Sequence, residues 1–151
     1  MLVGPRRSIF AGVLFMLLLF ICVSLVHAAD PVNQIIVGYE AVLKANPMPP
    51  GDKAQAIRIT GDETATLFVA RFAQGAEVKP HFHKTHSEIV YVIEGTGRMI
   101  IEGKEIDIKP GSIHFNPMGK VHSVKNTGNG EMIVLQIFTP AWTEPDRIPV
   151  P

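Results

Sequence analysis

Apolar and polar residues alternate in short runs along most of the chain after residue 54. Successive side chains of a β-strand point to opposite faces, so such alternation is typical of a strand with one buried face. Gly, Pro and Asn turns separate the runs, which predict strands at about 55–60, 64–73, 88–93, 98–102, 105–109, 113–116, 121–125 and 132–139. Many short strands without a convincing helix between them predict an antiparallel β-sandwich or barrel, as a single domain over residues 55–139. Gly103-Lys104 is predicted as a two-residue hairpin turn.

The segments on either side of the barrel have other patterns. Residues 29–54 form an N-terminal arm in which Asp30 to Ala45 carries apolar residues at helical spacing, so a short helix is predicted there. This helix could pack on a barrel face or reach a second subunit, and the first alternative is favoured. The tail, residues 140–151, contains four prolines and is expected to run extended over the surface.

The first residues of the chain resemble an export signal. Arg6 and Arg7 precede the uncharged run Ile9 to Val26, and the small residue Ala28 follows. This pattern predicts a signal peptide over residues 1–28 and a periplasmic or secreted mature protein. Two alternatives remain open: an uncleaved membrane anchor, because the apolar run is near the lower limit for a membrane span, and twin-arginine export.

Loss of the leader would change the composition in two ways. It would remove Cys22, the only cysteine, so the mature chain would have no disulfide and no thiolate. It would also leave 12 basic residues against 14 acidic ones, a net charge near −2, without the basic patch that nucleic-acid binding requires. The apolar run 132–138, together with Ile35, Ile36 and Tyr39, is more apolar surface than a small barrel readily covers, and it predicts a homodimer.

Candidate chemistry lies in the middle of the chain. His81 and His83 are two residues apart, so on one strand they share a face. A polar turn separates them from the strand that opens with Glu88, so a hairpin can bring this carboxylate beside the two imidazoles. Two imidazoles and a carboxylate on one face suit a divalent metal ion. His122, just past a later Pro/Gly turn, is a fourth candidate ligand.

Two motifs carry a family resemblance. Gly-x5-His-x-His-x4-Glu-x6-Gly fits every fixed position from Gly75 to Gly95, and Gly-x5-Pro-x-Gly-x2-His-x3-Asn fits from Gly111 to Asn126. These resemble the two signature motifs of the cupin superfamily, and the resemblance covers about residues 67–139. It implies a small single-domain jelly-roll, or double-stranded β-helix, barrel that binds one metal ion through His81, His83, Glu88 and His122.

The donor set restricts the metal and leaves the reaction open. Three imidazoles and a carboxylate suit a divalent transition metal, Mn, Fe, Ni, Cu or Zn, rather than Ca or Mg. Four protein ligands leave two positions of an octahedral ion open to substrate, whereas a four-coordinate zinc ion could be purely structural. The resemblance implies a metal-dependent dioxygenase, decarboxylase or isomerase that acts on a small oxygen-rich or phenolic molecule. The alternative is a non-catalytic periplasmic protein that binds a metal or a small ligand.

Two histidines outside the ligand set are further candidates. His86 and Glu88 are the predicted catalytic residues, and for His86 the alternative is an exposed turn residue without a role in the site. The face on which His114 lies cannot be followed through the Pro/Gly turn to His122, so its position stays open.

Neighbouring strand residues predict the walls of the site. Val90 and Val92 share the face of Glu88, so the floor of the cavity is expected to be aliphatic, and Tyr91 should point away from the metal. Arg98 would bind a substrate carboxylate if it faced inward, although a solvated charge at the barrel edge is favoured.

Overall fold

Ten strands form two antiparallel five-stranded sheets in the part of the chain that the structure, a computed structural model, describes, residues 36–150. The predicted signal peptide and the predicted helix start at Asp30 lie outside these residues. The described elements are α1 Tyr39–Ala45, β1 Ala54–Gly61, β2 Thr66–Phe72, β3 Glu77–His83, β4 Ser87–Glu94, β5 Gly97–Ile101, β6 Lys104–Ile108, β7 Ile113–Asn116, β8 His122–Asn126, β9 Met132–Thr139 and β10 Arg147–Pro149.

The strand order confirms the predicted jelly roll. One sheet has the order β1-β2-β9-β4-β7 and the other the order β10-β3-β8-β5-β6, so the chain repeatedly crosses from one sheet to the other. The hairpin predicted between His83 and Glu88 is therefore not formed, because β3 and β4 do not pair and lie in different sheets. His81 and His83 lie on one wall of the barrel, and Glu88 lies on the wall that faces it.

The core lies between the two sheets, at one end of the barrel. Val92 and Met132 are fully buried there, and alternate residues of β9 face opposite sides: Met132 and Val134 point inward, while Ile133 packs under α1. Full burial of one such side chain stabilises a fold by about 1.5–3 kcal/mol. This apolar core stabilises the barrel, and at the other end of the barrel buried polar residues take the place of apolar ones.

One predicted turn differs by a residue. The β5–β6 hairpin turns at Glu102-Gly103 rather than at Gly103-Lys104, and both turn residues have positive φ, 48° and 78°. Such angles match the twist of a two-residue hairpin. The Glu102 side chain accepts a hydrogen bond from the Val121 backbone N–H at 2.8 Å, a contact from a distant part of the chain that holds Glu102 in the turn.

The N-terminal helix is shorter than predicted, and it lies on the barrel. It begins at Tyr39 after Gly38, and Leu43 packs with Val69 and Ile133 on the outer face of a sheet. This position agrees with the favoured alternative for the arm. No helix among residues 36–150 is long and apolar enough to cross a membrane.

The tail and the apolar last strand correct two expectations. Residues 140–150 do not simply follow the surface, because β10 pairs with β3 and both Ala141 and Asp146 are buried. Most of the apolar run 132–138 faces the interior instead of solvent. Ile36 and Ile137 of the predicted dimer surface are exposed, as are Ile113 and Phe115 on β7, and the homodimer stays a prediction.

Candidate metal centre

Three imidazoles converge on one wall of the barrel. His81 lies directly opposite His122 where β3 pairs with β8, and His83 follows two residues along β3 on the same face. All three side chains are buried, and their candidate ligand nitrogens lie within 4.8 Å of one another. The shared face predicted from the spacing of His81 and His83 is therefore present, and His122 joins them by strand pairing.

Backbone carbonyls orient two of the three rings. His81 Nδ1 lies 2.8 Å from the carbonyl oxygen of Lys79, and His122 Nδ1 lies 2.9 Å from that of Lys120. A carbonyl oxygen only accepts hydrogen bonds, so each Nδ1 carries the hydrogen and donates it. In the neutral ring Nε2 then has a free lone pair, which is the form that binds a metal ion.

A carboxylate from the tail orients the third ring. Asp146 Oδ1 lies 2.9 Å from His83 Nδ1, and Oδ2 accepts hydrogen bonds from the backbone N–H and the hydroxyl of Thr85 at 2.8 and 2.7 Å. Burial raises the pKa of Asp146, but the hydrogen bonds from Thr85, His86 and His83 outweigh it and hold the pKa below its usual value. The ionised carboxylate accepts the His83 Nδ1 hydrogen, which leaves Nε2 of His83 free toward the other two rings.

Glu88 approaches the three imidazoles from the opposite sheet. Its Oε2 atom lies 3.4 Å from His122 Nε2. Asn116 donates a hydrogen bond to Oε2 at 2.8 Å, and Gln136 donates one to Oε1 at 2.7 Å. Burial raises the pKa of Glu88, but the His122 ring when it is protonated, the hydrogen bond from Asn116 and the charge of His83 outweigh it and hold the pKa below its usual value.

These residues fit a divalent cation. His122 Nε2 is buried without a hydrogen-bond partner, and in the neutral ring, whose hydrogen is on Nδ1, two electron-rich atoms, Nε2 and Glu88 Oε2, face each other. That contact is unfavourable unless a positive charge lies near both atoms. The structure thus brings the three predicted histidine ligands together, while Glu88 lies near His122 and outside this group of three, so its role as the fourth ligand stays a prediction.

The centre opens into a cavity of about 420 Å³ between the sheets. Val90, Met99 and Val134 are among its aliphatic walls, and Phe138 and Trp142 lie edge-on to His83 at ring distances of 5.3 and 5.7 Å. Of the two predicted floor residues, Val90 lines the cavity, whereas Val92 belongs to the core and does not reach it.

The neighbours of the floor residues point outward as predicted. Tyr91 is exposed on the outer face of its sheet. Arg98 also points outward, where Asp107 Oδ1 accepts a hydrogen bond from it at 3.0 Å. It is therefore the solvated edge charge that was favoured from the sequence.

His86 does not line the cavity. It is buried rather than exposed, so its interpretation as a solvent-exposed turn residue is wrong. Nε2 lies 3.0 Å from the Ala141 carbonyl oxygen, Nδ1 lies 2.8 Å from Asp146 Oδ2, and the ring stacks on Trp142. Both neighbours are acceptors, and the ring donates to both of them when it is protonated, so His86 can influence the centre by holding Asp146, the residue that orients His83.

His114 is the further histidine of the cavity wall. It lies two residues before Asn116 on β7, directly opposite Val90, and its buried Nδ1 atom has no hydrogen-bond partner. Burial lowers the pKa of His114 below its usual value, so the ring is neutral. Its free Nδ1 can accept a proton or a hydrogen bond from a molecule in the cavity.

Four contributors to the site were missed in the sequence: Asn116, Gln136, Trp142 and Asp146. Gln136 carried a signal, since it is a polar residue with inward parity inside the apolar run of β9. Asn116 carried a weaker signal: it is the polar last residue of a predicted strand, directly before the proline of the second motif. Nothing local distinguishes Asp146, whose role depends on the pairing of β10 with β3.

Comparison with known proteins agrees with this geometry. Residues 68–138 match the family model described as the cupin domain. The chain is 36% identical over 75 residues to the oxalate-binding protein of Thermotoga maritima, across 49% of this chain and 62% of that protein. It is 29% identical over 90 residues to the pectin degradation protein KdgF of Dickeya dadantii, across 60% of this chain and 81% of that protein.

A solved structure shares the fold. The structure of KdgF from Halomonas superposes with a TM-score of 0.58 and 22% sequence identity, covering 62% of this chain and 84% of that one. At this identity the likeness concerns the fold. Residues 68–138 are therefore similar to the cupin domain, and the solved structure shares the fold.

Proposed function

We propose that this protein binds one divalent transition-metal ion and is a metal-dependent enzyme of the dioxygenase, decarboxylase or isomerase type, acting on a small oxygen-rich or phenolic molecule. The observation that carries the proposal is the meeting of three imidazole Nε2 atoms at the wall of a 420 Å³ cavity. A purely structural ion needs no such cavity, whereas this volume lies within the range of small-molecule sites.

Each residue has a defined part in this proposal. His81, His83 and His122 hold the ion, with Glu88 as the fourth ligand (its carboxylate fixed by Asn116 and Gln136). When bound, the ion supplies Lewis acidity and a template for substrate oxygen atoms.

Proton transfer falls to a residue other than those first predicted. His86 lies outside the cavity, and Glu88 is held ionised by two amide donors. His114 is the neutral imidazole with a free nitrogen that faces the cavity, and it can accept or return a proton of the bound molecule.

A second candidate is a non-catalytic binding protein. Two observations favour it: the cavity walls are mostly apolar, and a relative that is 36% identical is named for oxalate binding. Both candidate proteins bind the metal ion, but only the enzyme converts the bound molecule into a product.

The test begins with the metal content of protein purified from its native compartment. The wild type should contain about one divalent ion per chain, and a double variant, His81→Ala with His83→Ala, should contain almost none. Full occupancy of the double variant would contradict the proposed centre. Substrate-dependent oxygen uptake or substrate loss that disappears in the double variant supports the enzyme, and stoichiometric binding without turnover supports the binding protein.

Export through the ordinary unfolded-chain route and a homodimeric state are also proposed, on the sequence patterns alone. Replacement of Arg6 and Arg7 by lysine should leave export intact, because the ordinary route needs only positive charge. Light scattering of the mature protein at micromolar concentration should give twice the mass of one chain.

A further inference from the structure

Arg147 is a cation at the mouth of the cavity. It is exposed, it belongs to the cavity lining, and it makes no ion pair or side-chain hydrogen bond with any other residue in the range 36–150. Among residues 36–150 no other arginine or lysine lines the cavity, and Arg98 lies on the outer face. A guanidinium without a partner beside an enclosed space is available to a ligand.

Strand pairing fixes the direction of this side chain. Arg147 lies directly opposite His83 in the β10–β3 ladder. Residues directly opposite each other in an antiparallel pair project to the same face of the sheet, so Arg147 projects to the side of the metal centre. The buried carboxylate of Asp146, tied to His83 and Thr85, anchors the backbone immediately before it.

The interior beyond the mouth has two further properties. Most of its lining is hydrocarbon or aromatic, as at Val90, Met99 and Phe138. Two polar atoms on the wall opposite the histidines, His114 Nδ1 and Asn116 Oδ1, are buried without hydrogen-bond partners. Buried polar atoms without partners are unfavourable unless a ligand forms hydrogen bonds with them, and a hydroxyl group, which both donates and accepts, does so.

We propose that the cavity recognises a small aromatic hydroxycarboxylate, with the carboxylate paired to Arg147 at the mouth, the ring against the apolar walls, and the hydroxyl toward His114 and Asn116. This substrate class rests on the proposed function, because it is bound in the cavity of the metal centre. It assigns Arg147 as a specificity-determining residue, and it excludes a small dianion without a hydrocarbon body as the preferred ligand.

The test uses a pair of probes of nearly equal shape. Binding of 4-hydroxybenzoate and of its neutral analogue 4-hydroxybenzamide is measured by equilibrium dialysis, with and without bound metal. The emission of Trp142, the only tryptophan and a residue of the cavity lining, reports whether each probe enters the cavity. The wild type should bind the benzoate about tenfold or more tightly than the amide, the size expected of a hydrogen bond to a charged group.

The variants separate the role of Arg147 from general charge. In Arg147→Gln the preference for the benzoate should fall to within about twofold, and Arg147→Lys should retain part of it. Arg98→Gln, which removes one positive charge from the outer face, should behave as the wild type. Equal wild-type affinity for the two probes, survival of the preference in Arg147→Gln, or tighter binding of oxalate than of the benzoate would each overturn the inference.

Metal content measured on the same samples distinguishes the two levels of failure. Loss of the charge preference at full metal occupancy contradicts the substrate class and leaves the metal centre intact. A wild type that binds no metal contradicts the proposed function, while the preference measured in the metal-free samples still decides whether Arg147 recognises a carboxylate.

Discussion

The ladder of β3 and β8 and the C-terminal tail orient the same kind of side chain in different ways. His81 and His122 donate Nδ1–H to the carbonyl of the residue two positions before each, so a strand segment orients its own histidine. His83 instead relies on a carboxylate 63 residues further along the chain. Two ligands of the centre are therefore fixed by local backbone geometry, and the third depends on the docking of the tail.

This difference predicts which substitutions weaken the centre. A side-chain replacement cannot remove a backbone carbonyl, so the locally oriented histidines are insensitive to the identity of Lys79 and Lys120. The orientation of His83 can be removed by a single substitution in the tail.

The largest effect is expected from loss of a ligand itself. His83→Ala should reduce metal affinity by more than about 100-fold, since loss of a residue that merely orients a ligand already gives 10–100-fold. His86 cannot replace it without leaving Ala141 and Asp146. Competition with a calibrated chelator measures the affinity, and a change smaller than tenfold would show that His83 is not a ligand.

The second largest effect on metal affinity is expected from a substitution in the C-terminal tail. Asp146→Asn preserves shape but introduces an amide among the donors of His83 and Thr85, so metal affinity should fall about 10–100-fold. Lys79→Ala is the matched control, because it leaves the carbonyl that orients His81 in place, and its affinity should equal that of the wild type. Equal affinities of Asp146→Asn and Lys79→Ala would contradict the comparison.

The free energy of unfolding of the metal-free protein is expected to depend on pH, because His81 titrates differently in the folded and unfolded chains. In the metal-free protein burial lowers the pKa of His81 to about 4, whereas a histidine of the unfolded chain titrates near ~6.5. Between these values the unfolded chain binds a proton that the folded chain does not, so the free energy of unfolding should fall as the pH falls from ~6.5 to about 4.

His81→Asn is the variant that tests this effect. It removes the titration, so the stability difference from the wild type should shrink toward low pH. Urea unfolding of both metal-free proteins at about pH 7 and about pH 4.5 measures it. A difference independent of pH would mean that His81 does not titrate in this way.

The smallest effect concerns one bond behind Asp146. Thr85→Val removes the hydroxyl that donates to Oδ2 at 2.7 Å but keeps the backbone N–H donor. The free energy of unfolding should fall by about 1 kcal/mol, the usual net value of one hydrogen bond. Metal affinity should fall less than in Asp146→Asn. A larger loss would mean that the Thr85 hydroxyl contributes more than the Asp146 carboxylate to the orientation of His83.

The distinction between contacts of neighbouring residues and contacts between distant segments also explains what could be predicted from the sequence. Strand parity placed His81 and His83 on one face, and motif spacing added Glu88 and His122; both rest on short-range geometry. Strand β9 was predicted with its observed bounds, Met132–Thr139, because its apolar run has clear ends.

The rest depends on contacts between distant segments. The exposed arginine at the mouth and the buried aspartate beside it occur in a proline-rich stretch without periodicity, and only the register of β10 against β3 gives them their positions. For the same reason His86, three residues from a ligand, was assigned to a catalytic role although its partners lie at Ala141 and Asp146. Turn Glu102-Gly103 differed for a similar cause, a hydrogen bond from Val121.

The position of β10 has a consequence for solubility. Without it, β3 would be the outermost strand of its sheet, with unpaired backbone groups that invite another chain to add a strand. β10 covers that edge and ends in Pro149, which has no N–H to offer a further partner. A chain that ends before Arg147 would expose the edge of β3 beside the metal ligands. The tail that orients His83 therefore also protects this edge from strand pairing between separate molecules.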